Sequence, residues 1–584
     1  MSKWVSSSIV IWFSVFIIQG CTTVESTTHT ALDEAIVVLP KTAFIPTSPE
    51  QFPIETLYSL LVAEIAASRQ QFDITLNNYI DQANVTNDSH IIARTARIAQ
   101  FFNSRQTSLE MGLRWLQHQP NNREAITLVA NAYIELKQPL IALDYTEKLF
   151  LLMPPTDYKS AAALVETIAN FSKRVGKQTV ERLIKRFEVL DNTYPDLTSI
   201  KIGLSILHQS QNHLKQAREW ADLALKQEPN HTTAVIQDVL LLQQTQQSRL
   251  ATIKLKAQLE KDPGNHRLRL TYARLLTQTD INQAYEQFTQ LSQQVPNHLD
   301  IKFSRALVAT ELKKTTIAIP LFEELLTVNY RSNTTRFYLG YLAELTQQAT
   351  TALDYYLAVK AGKKRLPAQN RAGKILIQKN ELVNASKLFT QLRTDFPNQK
   401  EQIYINEADA LTNKRLFDSA LKLLNQAIEE FPDNISLRRH RAIIYEKQNK
   451  LILMENDLRH VLTIDPNNVS VLNDLGYVLA TRTQRYEEAL KLINQALTLR
   501  PEDAAIIDSM GWVVFKLGRI TEAISYLQKA FSIFPDPEIA AHLGEALWIK
   551  GKKQQAREIL KNTLQNNPNS PQIIETIQRL GISL

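Results

Sequence analysis

The chain has a single cysteine, Cys21, in 584 residues. Disulfides within the chain and a cysteine-based zinc site are therefore excluded. Glycine is scarce as well, at 14 residues, about a third of ordinary usage. Phosphate-cradling loops, tight hairpins and βα turns all consume glycine, so its scarcity points to helices. Charge of one sign is lacking: 66 basic residues stand against 59 acidic, a net +7 too thinly spread to indicate nucleic acid. Apolar residues make up 44% and charged residues 21%, ordinary globular values that exclude a wholly disordered chain and a polytopic membrane protein. The length exceeds one compact core.

The one long apolar run lies at the start. Met1-Ser2-Lys3 precedes the stretch Ile9 to Ile18, and Gln19, Gly20 and Cys21 follow. A positive start, about ten apolar residues and a small residue at the cut are the parts of a secretory signal. The run is too short for a bilayer, which takes about twenty residues. Ile18-Gln19-Gly20-Cys21 resembles the bacterial lipobox, although Gln19 is an unusual occupant of its position. That resemblance implies cleavage after residue 20, with a diacylglycerol and an N-acyl chain on Cys21 and no other cofactor. Thr22, where an inner-membrane protein would carry Asp, implies an outer-membrane location with the body facing the periplasm. The alternative is a plain signal peptide with an accidental cysteine. Residues 21–52, rich in Thr, Ser and Pro, read as a flexible tether. Its apolar patch, Ile36 to Leu39, is read as part of that tether rather than as docked on the body.

The rest is governed by a period. Pro397, Pro432, Pro466, Pro501, Pro535 and Pro568 are 35, 34, 35, 34 and 33 residues apart. Pro195, Pro229, Pro263 and Pro296 continue upstream at 34, 34 and 33, and Pro120 to Pro154 spans another 34. Gly476, Ala489 and Pro501 recur as Gly511, Ala523 and Pro535, then as Gly544, Ala556 and Pro568. This resembles the tetratricopeptide (TPR) pattern of two antiparallel helices per unit. The small residues mark the helix crossing, the proline ends the unit, and apolar positions such as Leu490, Ile493 and Leu497 keep helical spacing. The expectation is an all-α superhelical solenoid of about 15 hairpins. Residues 53–155 hold N-terminal hairpins, 156–364 more divergent repeats with an insertion near 156–196, 365–569 well-matched repeats, and 570–584 a capping helix.

No chemistry-bearing motif is present. H-E-x-x-H, G-x-S-x-G and the phosphate-binding loop are all missing, and the eleven histidines are scattered, with His440 read as a surface side chain. The chain is not expected to be an enzyme or to hold a metal. In TPR folds the first helix of each unit lines an inner groove. With the repeat glycines as the eighth position, Phe337, Tyr341, Tyr477, Trp512, Phe515 and Trp548 fall at groove positions, where rings can grip a bound segment or pack on a neighbouring helix. A basic run, Lys360, Lys363, Lys364, Arg365, Arg371, Lys374 and Lys379, has no acid between Asp354 and Glu381. It suits an acidic partner, anionic lipid or cell-wall polymer, or it is a solvated ridge.

Three segments are distinctive: Leu472-Asn473-Asp474-Leu475-Gly476-Tyr477, Asp508-Ser509-Met510-Gly511-Trp512, and Phe534 to Gly544. With Leu57 to Glu64 they resemble the long proteobacterial TPR outer-membrane lipoproteins that act as adaptors of a periplasmic carboxyl-terminal processing protease. The resemblance implies that protease and its peptidoglycan hydrolase substrates as partners, and the membrane through the lipid. A structural assembly factor for polysaccharide export, pilus secretion or outer-membrane biogenesis is the alternative.

Overall fold

The computed structural model describes residues 53–583, so Cys21 and residues 21–52 lie outside the described residues. Within them the chain is all α: 31 α-helices, three short 3₁₀ turns and no strand. It is a TPR helical-repeat solenoid. Two compact units divide between Leu321 and Phe322, inside helix Thr315–Thr327 and next to Pro320, which removes one helical hydrogen bond.

The periodic prolines act together with a polar residue two positions on. In six repeats the side chain two positions after the proline caps the next first helix: Asn122, Asn265, Asn434, Asn468, Asp503 and Ser570 all accept from a backbone N–H of the first turn, whereas Leu197, His231, His298 and Gln399 make no such cap. Pro-x-Asn, Asp or Ser is therefore the start signal of a repeat as well as the stop signal of the one before.

Between the two helices of a repeat the chain turns on one residue of positive φ. Gly518 and Gly551 fill this position in two repeats, at +79° and +88°. In nine others it is Asn103, Lys137, Asn212, Gln246, Lys313, Gln347, Asn380, Arg415 or Asn449, with φ between 56° and 68°, while the turns at Thr277–Asp280 and Thr483–Arg485 have no such residue. The scarcity of glycine thus coexists with many tight turns, because side chains tolerate the left-handed region at single positions.

In the first unit, helix Thr198–Ser210 is buried at every position from Thr198 to His208. It receives both helix Lys159–Phe171 and helix Lys177–Thr193, and the former packs chiefly on it rather than on its sequence neighbour. The insertion near 156–196 is absorbed by the turns Pro155–Asp157 and Ser172–Arg174 and by the 17-residue length of Lys177–Thr193. Phe150, Tyr158 and Tyr194 fill the space beside it, with ring centroids 4.9–5.5 Å apart. Gly203 admits this crossing: a Cβ there would lie 2.4 Å from Phe187.

In the second unit the pairs Val469–Arg482 with Tyr486–Leu499, Ala504–Lys516 with Ile520–Ile533, and Pro537–Ile549 with Lys553–Asn566 stack in sequence order. At Gly476 a Cβ would meet Ile493 Cγ1 at 2.6 Å and the Ala489 carbonyl at 3.2 Å, so the small residues of the pattern set the helix separation. Helix Pro571–Leu580 covers the last pair through Ile573 and Thr576, and Gly581 turns Ile582 inward onto Ala540, Ala541 and Leu560.

Candidate protein-binding surface

The first helices of the second unit carry the predicted aromatic residues, but few of those rings are open. Trp512 is 7% exposed and stacks on His542 at 4.0 Å and on Phe515 at 5.1 Å. Phe337 is 6% exposed and packs against Tyr338 and Tyr356 at 5.3 and 5.9 Å. Both side chains belong to the core, packed against rings of their own and neighbouring helices. Tyr341, Tyr477, Phe515 and Trp548 are half-buried. Trp548 has Lys553 and Arg557 over its ring at 5.0 and 5.3 Å.

Tyr477, Trp512 and Phe515 come together around a buried ion pair. His542 Nδ1 lies 3.0 Å from each oxygen of Asp508, one repeat away. The Tyr477 hydroxyl donates to Glu538 at 2.6 Å, two repeats along the chain. Burial raises the Tyr477 pKa, and the Glu538 carboxylate adds to the effect. Burial works against the His542 imidazolium, yet the Asp508 carboxylate outweighs it and holds His542 above its ordinary value. Asp508 itself is pushed up by burial and drawn back by His542.

These contacts belong to a ladder between successive first helices. Arg439 pairs with Asp474 at 3.0 Å, Asp508 with His542, and Arg579 with Glu545. His440 lies 3.7 Å from Asp409, so it bridges repeats rather than standing free at the surface. Sequence reasoning missed this ladder by taking each charge singly. The available signal was opposite charge at a spacing of one repeat: 35 residues for Arg439 and Asp474, and 34 for both Asp508 with His542 and Glu545 with Arg579.

The basic run has carboxylates that its own segment does not supply. Arg371 meets Glu344 at 2.6 Å, Arg365 pairs with Asp395, and Lys379 lies 3.8 Å from Glu381. Lys364 stands over the rings of Phe337 and Tyr338 at 4.7 and 5.2 Å, and Arg371 over Tyr341 at 5.3 Å. Two features separate in sequence are thus one cluster, and much of its charge is spent within the fold. Lys360, Lys363 and Lys374 are exposed.

The first unit presents a different chemistry. Gln237 Nε2 donates to Ser205 Oγ and Gln209 Oε1, both at 3.1 Å, and Gln209 Nε2 donates to Gln244 Oε1 at 3.1 Å. Gln237, 3% exposed, is committed within the fold, and only Gln244 at the end of the run is exposed. Among the described residues no group of three or more His, Cys, Asp or Glu is placed to hold a metal, and no helix is long and apolar enough to cross a membrane.

Stacked helical hairpins with polar, half-buried first-helix faces define a protein-binding repeat scaffold. Tetratricopeptide repeat models match residues 469–503 and 509–571. Over 553 residues the chain is 32% identical to the TPR repeat-containing protein PA4667 of Pseudomonas aeruginosa, covering 93% of this chain and 91% of that one. The chain belongs to the TPR repeat-containing protein family, a family of generally non-catalytic scaffolds whose repeats imply protein partners. A 138-residue stretch is 25% identical to the type IV pilus assembly protein PilF of the same organism, covering 23% of this chain and 54% of PilF. Among solved structures, the APC/C hetero-tetramer Cut9–Hcn1 aligns over 90% of this chain and 96% of that one, at 14% identity and a TM-score of 0.32.

Proposed function

We propose that the protein is a lipid-anchored scaffold on the periplasmic face of the outer membrane, and that it is an adaptor. In this reading it brings a carboxyl-terminal processing protease to peptidoglycan hydrolases and so promotes their degradation. The observation that carries the scaffold reading is the helical-repeat array itself, which runs from Ile54 to Leu580. The adaptor reading rests on the segments around Gly476, Gly511 and Gly544, which resemble LbcA-type adaptors, and the membrane location rests on the lipobox-like approach to Cys21. An adaptor needs no catalytic group. Holding two partners on one array raises the effective concentration of one at the other to about the millimolar range.

Pull-down with the full chain from envelope extracts is expected to recover a PDZ-containing serine protease. Recovery of intact bait without such a protease refutes the adaptor reading. Cys21→Ser is expected to release the protein from membranes, and continued sedimentation with them places the anchor elsewhere. The stretch similar to PilF favours a second reading, a structural assembly factor. Deletion separates the two: accumulated wall hydrolases support the adaptor, and lost export or piliation supports the assembly factor.

A further inference from the structure

The first helix among the described residues, Ile54–Ser68, is apolar on two opposite faces. Thr56, Ala63 and Ala66 are buried on one, against the next helix, where Tyr79 hydrogen-bonds Glu64. The other carries Ile54, Leu57, Tyr58, Leu61 and Ile65, which are 80%, 52%, 69%, 54% and 51% exposed. At about 100° per residue, these five fall within an arc of roughly 100°, one continuous stripe. A helix apolar all round is one that is covered all round. Repeat arrays need both ends closed. At the C-terminal end the chain does this itself, with helix Pro571–Leu580 and Ile582.

We propose that the chain also caps its first helix, by laying the segment Ala35-Ile36-Val37-Val38-Leu39 along this stripe. The sequence places that segment immediately upstream, and Pro40 to Pro53 joins the two. Fourteen residues reach up to about 45 Å, against roughly 17 Å for the stripe. The exposed area also favours a tethered occupant. Taking roughly 200 Å² for a bare large side chain, the stripe offers about 600 Å². A stable interface between separate molecules takes about 800 Å² from each partner. A separate partner also loses translational and rotational freedom on binding, which a segment of the same chain does not. The helix contains Glu55 and Glu64 but neither Lys nor Arg, so it lacks the cations that hold a helix on an anionic bilayer. The proposal departs from the sequence reading, which left Ile36 to Leu39 in the tether, and it does not depend on the adaptor reading.

Photo-crosslinking of the full-length protein in envelope membranes tests the cap, with Tyr58 replaced by p-benzoylphenylalanine. The expected product is a link within one chain, mapped by mass spectrometry to residues 33–45. A product of doubled mass (a second copy), an adduct to another protein or to lipid alone, or no product at all overturns the proposal. Hydrogen exchange supplies a second test. In the full-length Val37→Asp, Leu39→Asp variant, amide exchange in Ile54–Ser68 is expected to rise at least about tenfold, with Pro537–Ile549 unchanged. Unchanged exchange in Ile54–Ser68 overturns the proposal.

Discussion

Replacing His542 should expose what the buried Asp508 carboxylate costs the C-terminal repeats. The two side chains are 8% and 5% exposed, and Trp512 covers the imidazole. His542→Leu leaves the carboxylate buried and unpaired, a change expected to cost about 3–5 kcal/mol near pH 6.5. His542→Leu combined with Asp508→Leu removes both charges and should fall within about 2 kcal/mol of the parent. The pH dependence follows from the direction of the shift. The folded-state pKa of His542 lies above its unfolded value of about 6.5, so the stabilisation is complete below that value and is lost as pH rises through the folded pKa. In the single variant Asp508 can be protonated as pH falls, since burial raises its pKa, and the penalty then shrinks on the acid side too. The difference between parent and His542→Leu should therefore peak near neutrality and fall toward both pH 4 and pH 9. Repeat arrays need not unfold as one unit, so the readout is amide exchange in Ala504–Lys516 and Pro537–Ile549 across that range. A penalty equal at pH 6 and pH 9, or a double variant as damaged as the single one, would refute the ion-pair account.

Gly511→Val places a Cβ 2.7 Å from Leu527 Cγ and 3.2 Å from its backbone nitrogen, and is expected to lower stability by about 1–3 kcal/mol in urea unfolding. Arg415→Gly relieves a left-handed residue with φ of 61°, and should raise the urea midpoint by the equivalent of about 0.5–1 kcal/mol with an unchanged slope. Arg371→Ala leaves Glu344 and the buried Tyr356 without their cation, for an expected loss of about 1–3 kcal/mol by the same assay. Lys360→Ala, at an exposed side chain, should stay within about 0.5 kcal/mol. Equal effects from the two would mean that the Arg371 contacts contribute nothing to the fold.

The repeat was legible because its punctuation is steric. Gly476 has to be small where Ile493 and the Ala489 carbonyl approach, and Pro501 cannot continue a helix, so neither residue can be exchanged without moving the backbone. The inner surface was far less legible, because the pattern fixes which helix faces inward but not how far neighbouring side chains close over it. Phe337 and Trp512 occupy groove positions by count and core positions in space. The basic run showed no acid across 26 residues of sequence, yet Glu344 and Asp395 reach it from flanking helices. In a stacked array the partner of a side chain lies about one repeat away, not in the adjoining segment. Reading charge along the chain therefore overstates how much of it is free.

The bond between Tyr477 and Glu538 has a consequence for how the second unit behaves. Ideal solenoids couple each repeat only to the next, so that their stability is a sum of nearest-neighbour terms. Here the contact spans 61 residues and skips the first helix between, Ala504–Lys516, on which Asp508 and Trp512 are buried. The Trp512 indole N–H is buried there without a hydrogen-bond partner. A buried N–H left without an acceptor costs stability. The Tyr477–Glu538 bond therefore couples repeats that are not neighbours, next to the buried Asp508–His542 pair, and adds to the cooperativity of the C-terminal repeats.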